Sequence, residues 1–137
     1  MGGDTVRIAV DTNVLLRDAL GDDPRQTPIA SKTLQNAELV VVPTPALCEF
    51  VSVMRRLYKR SAAEIALSIR LLMSGDNVEL DRPAIEAGLE VLEDGGDFAD
   101  GVIAYEGHWM GAQEFVSFDR LAVSLLKSQG KRARLLS

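Results

Sequence analysis

The chain has 137 residues, of which 47% are hydrophobic and 26% are charged. That length suits one compact domain spanning residues 1–137, and the composition excludes an intrinsically disordered chain. The net charge of −5 is opposite in sign to the basic face of a simple nucleic-acid binder, unless some of the carboxylates hold metal cations.

The first predicted elements are a strand and a helix joined by a polar tripeptide. The β-prone run Arg7-Ile8-Ala9-Val10 ends at Asp11-Thr12-Asn13, after which Val14-Leu15-Leu16 begins a helix. A turn at residues 22–26 then precedes a helix over about residues 29–36. Asp11 is therefore expected just past the end of the first strand.

The next pair of elements is a strand over residues 39–42 and a helix after it. We expect Thr44 to be the N-cap of this helix and Pro45 to be its first residue. The apolar residues that recur at helical spacing are Leu47, Phe50, Val51 and Met54. Glu49 lies within this apolar stretch, where an unpaired charge would be costly.

A further helix is predicted to begin at Ser61, because Ser61 and Glu64 have the spacing of a capping box, and to end near Gly75. A short strand over residues 78–80 and a helix over residues 83–94 follow.

The last part of the chain repeats this alternation. A helix is predicted from Asp97 to about Tyr105, and then a strand over residues 115–117. A final helix over residues 119–130 and a possible strand over residues 133–135 complete the pattern.

Short apolar strands that alternate with helices predict the α/β class, with a mostly parallel sheet covered by helices on both faces. In such sheets the reacting groups gather beyond the carboxyl ends of the strands. The acidic residues that follow strands or begin helices, and that we expect at this end of the sheet, are Asp11, Glu49, Asp100 and Asp119.

Carboxylates crowded together repel one another, and one stays protonated unless a cation holds them ionised. Oxygen ligands without His or Cys favour a hard cation, Mg²⁺ or Mn²⁺. Such a cation lowers the pKa of a bound water and polarises a phosphodiester oxygen. The sequence therefore predicts phosphodiester hydrolysis.

Four stretches in this order resemble the successive acidic motifs of the PIN-domain family, and are closest to those of VapC-type toxins. They are Asp11-Thr12-Asn13-Val14-Leu15-Leu16-Arg17, Leu47-Cys48-Glu49-Phe50, Asp97-Phe98-Ala99-Asp100 and Ser117-Phe118-Asp119. Each motif alone is weak, but the set spans almost the whole chain in the order and the context of the family.

The resemblance implies a three-layer α/β/α fold with a five-stranded parallel sheet, and a Mg²⁺- or Mn²⁺-dependent endoribonuclease. It also implies a homodimer, an RNA substrate and a cognate antitoxin protein. Asp11 and Asp100 would be the principal metal ligands, and Glu49 and Asp119 would complete the acidic cluster. The residues implied in auxiliary roles are Asp97, Thr12, Asn13 and Ser117.

The sequence departs from the family where Ala usually follows the third acidic residue, because Gly101 stands there. Tyr105 and Gly107 follow further along. We therefore expect the helix that begins at Asp97 to be less regular. Its register relative to the family motif, and with it the role of Asp97, stays open.

Helix capping is the alternative interpretation for the aspartates. For Asp11 and Asp100 we favour a metal site, and for Asp119 we favour it over capping. For Asp97 the two interpretations stay open, with Asp100 then at the third helical position. Glu49 could instead be a solvated helix residue, although its apolar surroundings favour the site.

Two basic runs are equally open in interpretation. They are Arg55, Arg56, Lys59 and Arg60, and then Lys127, Lys131, Arg132 and Arg134. They could contact RNA phosphate or an acidic partner, or the first run could simply favour a helix C-terminus. His108 is expected at the surface, whereas Trp109 and Met110 are expected to pack.

The lone Cys48 cannot form an internal disulfide, and with one histidine there is no soft-ligand cluster for zinc. The start Met1-Gly2-Gly3-Asp4 lacks the features of a signal peptide, and no stretch of apolar residues is long enough to span a membrane. A cytoplasmic protein is expected.

Other α/β proteins with acidic sites fit less well. A phosphoacceptor receiver domain needs two adjacent acidic residues after its first strand and an Asp after its third strand. This chain has only Asp11 after the first strand, so Asp81, which follows the third, has no acidic pair to act with. A haloacid-dehalogenase phosphatase needs an Asp where Asn13 stands. The remaining alternative is a non-catalytic PIN scaffold that binds protein or RNA.

Overall fold

The computed structural model describes residues 6–137. The segment Met1–Asp4, on which the expectation about a signal peptide depends, lies outside the described residues. Two compact units follow one another along the chain, the first ending at Asp81 and the second spanning Arg82–Ser137. The single domain over residues 1–137 stays a prediction.

The first unit contains three strands and four helices among its described residues. In chain order they are β1 (Arg7–Ala9), α1 (Thr12–Leu20), α2 (Gln26–Asn36), β2 (Leu39–Val41), α3 (Thr44–Arg56), α4 (Ala62–Met73) and β3 (Val78–Glu79). The strands form a parallel sheet in the order β1-β2-β3, with Ile8 opposite Val40 and Val41 opposite Glu79. Val40, on the central strand, is fully buried, as expected for a strand covered on both faces.

Among the helix starts of the first unit, that of α4 is confirmed, whereas α2 begins at Gln26 and not near residue 29. Ser61 and Glu64 form the predicted capping box, in which each side chain accepts a hydrogen bond from the other residue's backbone. The prediction of Thr44 as N-cap is wrong by one residue, because Pro43 is the N-cap and Thr44 is already helical. Pro43 is extended, with φ −64° and ψ 143°, so its carbonyl reaches the backbone N–H of Ala46 at 3.0 Å without any side-chain cap.

The second unit contains three helices and two strands. They are α5 (Arg82–Glu93), α6 (Phe98–Trp109), β4 (Phe115–Ser117), α7 (Arg120–Ser128) and β5 (Ala133–Leu135). The strands β4 and β5 pair in parallel, and Phe115 lies opposite Ala133. Val91 of α5 packs with Val123 and Leu126 of α7 and with Ala133 in a buried cluster.

The α/β class and the parallel strands are confirmed, but the single five-stranded sheet is not. In residues 6–137 the strands form one three-stranded and one two-stranded sheet. The physical reason lies in the strand lengths, since strands of two or three residues provide very few ladder hydrogen bonds. The apolar pattern in the sequence predicts where such strands lie. Which strands pair with one another depends on where tertiary packing places their backbones.

Helix α6 is longer and more regular than the sequence suggested, because it continues past Tyr105 to Trp109. Gly101 is buried in it, and a Cβ atom at this position would lie 2.4 Å from the carbonyl oxygen of Ala87 on α5. The glycine therefore permits the close packing of α6 on α5 and does not disturb the helix.

None of the helices in residues 6–137 is both long and apolar enough to cross a membrane.

Candidate functional site

The predicted site residues form two sets, one in each unit. The first unit holds Asp11, Thr12, Asn13 and Glu49, and the second holds Asp97, Asp100, Ser117 and Asp119. Asp11 follows β1, and Asp119 follows β4. Both therefore lie beyond the carboxyl end of a parallel strand, where α/β proteins place reacting groups.

In the first unit the site residues line a pocket of about 320 Å³. Asp11 is the N-cap of α1, and its Oδ1 accepts a hydrogen bond from the backbone N–H of Val14 at 3.1 Å. Asn13 and Glu49 line the same pocket. The arrangement puts two carboxylates and an amide around one concave surface.

Thr12 connects the two motifs of the first unit. Its side chain is buried, with 8% of the residue exposed, and the single proton of its hydroxyl is shared between two acceptors, Glu49 Oε1 at 3.0 Å and the carbonyl oxygen of Ala46 at 3.1 Å. The hydroxyl therefore orients the Glu49 carboxylate from the N-terminus of α1. Sequence reasoning placed Thr12 near the site but did not identify this contact.

The prediction that Glu49 lies in apolar surroundings is wrong. Glu49 is exposed, and the buried side chains of α3 are Leu47, Phe50, Val51 and Met54. The helix turns the Glu49 side chain away from these neighbours in sequence, since residues one or two positions apart do not share a helix face. Its contact with Thr12 is what associates it with the site.

In the second unit two aspartates cap helices. Asp97 Oδ1 accepts from the backbone N–H of Ala99 at 3.1 Å at the start of α6. Asp119 Oδ1 accepts from Leu121 at 2.9 Å and from Ala122 at 3.2 Å at the start of α7. The backbone N–H of Asp119 in turn donates to Ser117 Oγ at 2.9 Å, which closes the bend between β4 and α7.

The Asp100 carboxyl lies on the first turn of α6 in a half-buried position. Burial raises the pKa of Asp100 above its usual value, and the negative charges of Asp97 and Asp119 raise it further. Three acidic groups of the second unit are thus close enough to influence one another, which is the condition that a bound cation relieves.

Capping and metal binding do not exclude each other at these positions. Each cap uses Oδ1 of the aspartate, and an ionised carboxylate has a second oxygen and further lone pairs. The backbone N–H groups of the helix N-terminus also hold a capping aspartate in one orientation. Asp11, Asp97 and Asp119 are therefore caps, and each keeps the capacity to bind a cation.

The donors around these positions are carboxylate, amide and hydroxyl oxygens, which suit Mg²⁺ or Mn²⁺. Within residues 6–137, no group of three or more Asp, Glu, His or Cys side chains is arranged so that it could hold a metal ion. The charges of Asp97 and Asp119 act on Asp100, but the three groups do not converge on one point. The chemistry of the donors therefore suits a hard cation, whereas the positions of the described side chains do not by themselves form its site.

Arg17 is a member of the first pocket to which the sequence gave no role. It lines the pocket together with Asp11 and Glu49, and its Nη2 donates to the Tyr58 hydroxyl at 3.0 Å. Its place in the first motif, at the end of the Asp-Thr-Asn helix, was the available signal.

The other residues considered from sequence have varied positions. His108 is exposed, as expected, but Trp109 and Met110 are 79% and 85% exposed, so the expectation that they pack is wrong. In the second basic run, Lys131 pairs with Glu90 at 3.5 Å and Arg134 pairs with Glu114 at 2.8 Å. The role of either basic run in binding stays a prediction.

Parallel strands followed by acidic side chains at helix starts define the class of α/β proteins with an acidic site at the strand ends. The sequence model of the PIN domain matches residues 8–120, and the chain therefore belongs to the PIN-domain family. A search of curated proteins found no match. The PIN domain is generally a nuclease fold; its members typically use divalent metal ions, and PIN nucleases bind RNA.

Proposed function

We propose that this protein is a metal-dependent endoribonuclease that hydrolyses RNA phosphodiester bonds and acts as the VapC-type toxin of a toxin–antitoxin pair. The carboxylates that we assign to catalysis are Asp11, Glu49, Asp100 and Asp119. Membership of the PIN-domain family supports the nuclease activity. The retention of an acidic residue in each of the family's motifs supports catalysis over a purely binding role.

The observation that carries the proposal is the environment of Asp100. Burial and the charges of Asp97 and Asp119 raise the pKa of this half-buried carboxyl, so its ionised form is poorly matched to its protein surroundings. A divalent cation would remove this mismatch, since it holds the carboxylates ionised.

Asp11 and Asp100 would hold the cation, Mg²⁺ or Mn²⁺, with Glu49 and Asp119 completing the acidic set. When bound, the cation supplies an activated water and polarises a phosphodiester oxygen. The protein's own groups fix the acids: Thr12 orients Glu49 through its hydroxyl, and Ser117 holds the backbone of Asp119. Asn13 and Asp97 have auxiliary roles.

With the toxin role we also propose a cognate antitoxin, a homodimer and a cytoplasmic location. An antitoxin would place a basic side chain, preferably Arg, in the acidic site, because a guanidinium bridges carboxylates in place of a metal. Leu57 is 70% exposed beside the first pocket and offers an apolar anchor for a partner helix.

The test of catalysis is substitution of the two principal ligands. We expect Asp11→Asn and Asp100→Asn each to abolish RNA cleavage in Mg²⁺ or Mn²⁺, because each removes a charged ligand at nearly constant volume. Asp76→Asn is the matched control, since Asp76 is exposed and lies outside both sets of site residues. Circular dichroism checks folding, and wild-type cleavage by either ligand variant would refute the assignment.

The same assay separates the enzyme from a non-catalytic PIN scaffold. If the protein were such a scaffold, it would bind RNA or protein, but the purified wild-type chain would not cleave RNA in Mg²⁺ or Mn²⁺.

The toxin role is tested by growth. Expression of the chain alone should slow growth, and co-expression of the adjacent gene should restore it. If an antitoxin whose basic residues are changed to Ala still binds and inhibits fully, occlusion elsewhere must explain inhibition.

A further inference from the structure

Two pockets of the first unit adjoin along α1, from its N-cap to its last turn. The pocket of about 320 Å³ contains Glu49 and Tyr58, and a second pocket of about 460 Å³ contains Arg25 and Thr33. The residues that line both pockets are Asp11, Asn13 and Arg17. A continuous concave surface therefore passes the Asp11 carboxylate and the Arg17 guanidinium.

The Arg17 guanidinium is held by a hydrogen bond to a neutral partner and by a longer ion pair. Its Nη2 donates to the Tyr58 hydroxyl at 3.0 Å, and its Nη1 forms a longer ion pair with Asp22 Oδ1 at 3.9 Å. The Tyr58 hydrogen bond raises the pKa of Arg17, partly opposed by burial, so the group is a permanent cation.

These contacts leave most of the guanidinium uncommitted. The group has five N–H donors, of which the Tyr58 contact uses one, and 21% of the Arg17 side chain is exposed. Among the described residues, Arg17 forms no ion pair with Asp11 or Glu49, although all three line one pocket. Tyr58 thus holds the cation apart from the carboxylates, which stay available for metal.

We propose that Arg17, held by Tyr58, binds a backbone phosphate of single-stranded RNA that lies along these two pockets, adjacent to the phosphate presented to Asp11. The inference rests on the proposed function and identifies how the site binds its substrate. A planar guanidinium forms two parallel hydrogen bonds with a phosphate. A fixed cation of this kind also offsets the repulsion between RNA and a chain of net charge −5.

The experiment measures RNA affinity as a function of salt in the Asp100→Asn background, which we expect to bind without cleaving. A labelled single-stranded RNA of mixed sequence is the probe, and fluorescence anisotropy is the readout. Arg17→Gln retains a hydrogen-bonding side chain but removes the charge, whereas Arg17→Lys retains the charge without the planar fork. Arg7→Gln is the matched control, because Arg7 is exposed, pairs with Glu38 at 2.8 Å and lies outside both pockets.

We expect Arg17→Gln to weaken binding roughly tenfold at low salt, in the range of a lost charged hydrogen bond. The slope of log affinity against log salt should become shallower by about 0.7, the contribution of one phosphate contact on a single strand. Arg17→Lys should keep the slope and lose part of the affinity. Tyr58→Phe should also keep the slope and weaken binding, because the cation is retained but no longer held.

In otherwise wild-type enzyme, Arg17→Gln should raise KM with little change in kcat, since a neighbouring phosphate is bound equally in the ground and transition states. If the contact between Arg17 and Tyr58 only stabilised the fold, Arg17→Gln would lower the melting temperature and leave the salt dependence of RNA binding unchanged.

The outcomes separate the two proposals. If the wild type cleaves RNA but Arg17→Gln matches Arg7→Gln in affinity and salt slope, the phosphate contact is refuted and the nuclease stands. If the wild type neither binds nor cleaves RNA in Mg²⁺ or Mn²⁺, the proposed function fails and the inference fails with it.

Discussion

At the scale of single residues, the carboxyl groups of Asp23, Glu64 and Asp100 show two different electrostatic situations. Backbone N–H groups of Gln26 and Arg25 lower the pKa of Asp23, and the Ser61 backbone lowers the pKa of Glu64. Asp100 differs, because burial and two neighbouring carboxylates raise its pKa. Backbone N–H groups at helix starts therefore favour the ionised form of Asp23 and Glu64, whereas burial and neighbouring negative charges disfavour it at Asp100.

The burial of Asp100, together with its acidic neighbours, predicts a pH-dependent effect on stability in EDTA. The folded-state pKa is raised, so the folded protein binds more protons than the unfolded chain between the two pKa values, and stability falls as pH rises through that window. Asp100→Asn should therefore raise the melting temperature at pH 7, with the advantage disappearing in acid as wild-type Asp100 becomes protonated.

Thermal unfolding of both proteins between pH 4 and pH 8 provides the measurement, with about equal stability expected at the acid end. An Asp100→Asn variant that is less stable than wild type at pH 7 in EDTA would contradict the described environment of this carboxyl.

At the scale of elements, the pair α5 and α6 shows how one small residue sets a helix packing distance. Gly101 brings α6 against the backbone of α5 at Ala87, and Phe98 of α6 is fully buried near Gly88 of α5. Asp97 and Asp100 lie at the start of α6, so this packing determines where both carboxylates are held within the second unit. The departure from the family's usual Ala therefore has a steric reason.

Gly101→Ala should destabilise the protein by about 1–3 kcal/mol, the cost of overpacking. The added methyl group would meet the Ala87 carbonyl oxygen at 2.4 Å, and a backbone oxygen cannot rotate away. This cost outweighs the gain of roughly 1 kcal/mol in helix propensity. Urea denaturation measures the difference.

Gly107→Ala is the control on the same helix, because its Cβ would meet only the Ala112 Cβ at 4.0 Å. It should stabilise the protein by roughly 0.5–1 kcal/mol through propensity alone. If both alanine variants changed stability equally, close packing at Gly101 would not be the reason for its glycine.

The helix caps allow structural and catalytic roles to be separated at Asp119. Asp119→Ala should lower stability by about 1 kcal/mol and abolish cleavage, because the cap of α7 and the carboxylate are lost together. Asp119→Asn should retain the cap and still abolish cleavage, since an amide oxygen accepts from Leu121 and Ala122 but lacks the charge.

Ser61→Ala gives the complementary control, because Ser61 caps α4 and belongs to neither set of site residues. It should cost about 1 kcal/mol of stability with cleavage unchanged. Normal activity in folded Asp119→Asn would show that Asp119 is only a cap.

At the scale of the whole molecule, the net charge of −5 opposes RNA binding, and the proposed metal would reduce this repulsion. A hard cation bound by carboxylates neutralises part of this charge where RNA approaches, and it can bind only if those carboxylates are ionised. Metal, substrate and stability are therefore expected to be linked in one equilibrium.

Mg²⁺ or Mn²⁺ should stabilise wild-type protein, by about 2.7 kcal/mol at a concentration 100-fold above Kd. Asp11→Asn and Asp100→Asn should gain much less stability from either ion, because each variant loses a charged ligand.

Cleavage should vanish in EDTA and return with Mg²⁺ or Mn²⁺, whereas Ca²⁺ should bind with little turnover because its coordination is loose. Differential scanning calorimetry and a cleavage assay report the two effects, and rescue by Zn²⁺ alone would contradict the hard-cation site.

The sequence by itself determined the alternation of strands and helices, the α/β class, the PIN-domain family and the Ser61 capping box. These features depend on local periodicity, on capping residues and on ordered motifs, all of which are encoded over short stretches of chain. Tertiary structure decided which strands pair, because each strand of two or three residues carries too few ladder hydrogen bonds to specify its neighbours. It also decided that Glu49 is exposed beside Thr12, that Gly101 lies against Ala87, and that Tyr58 holds Arg17, since contacts between residues distant in sequence arise only when separate elements pack together.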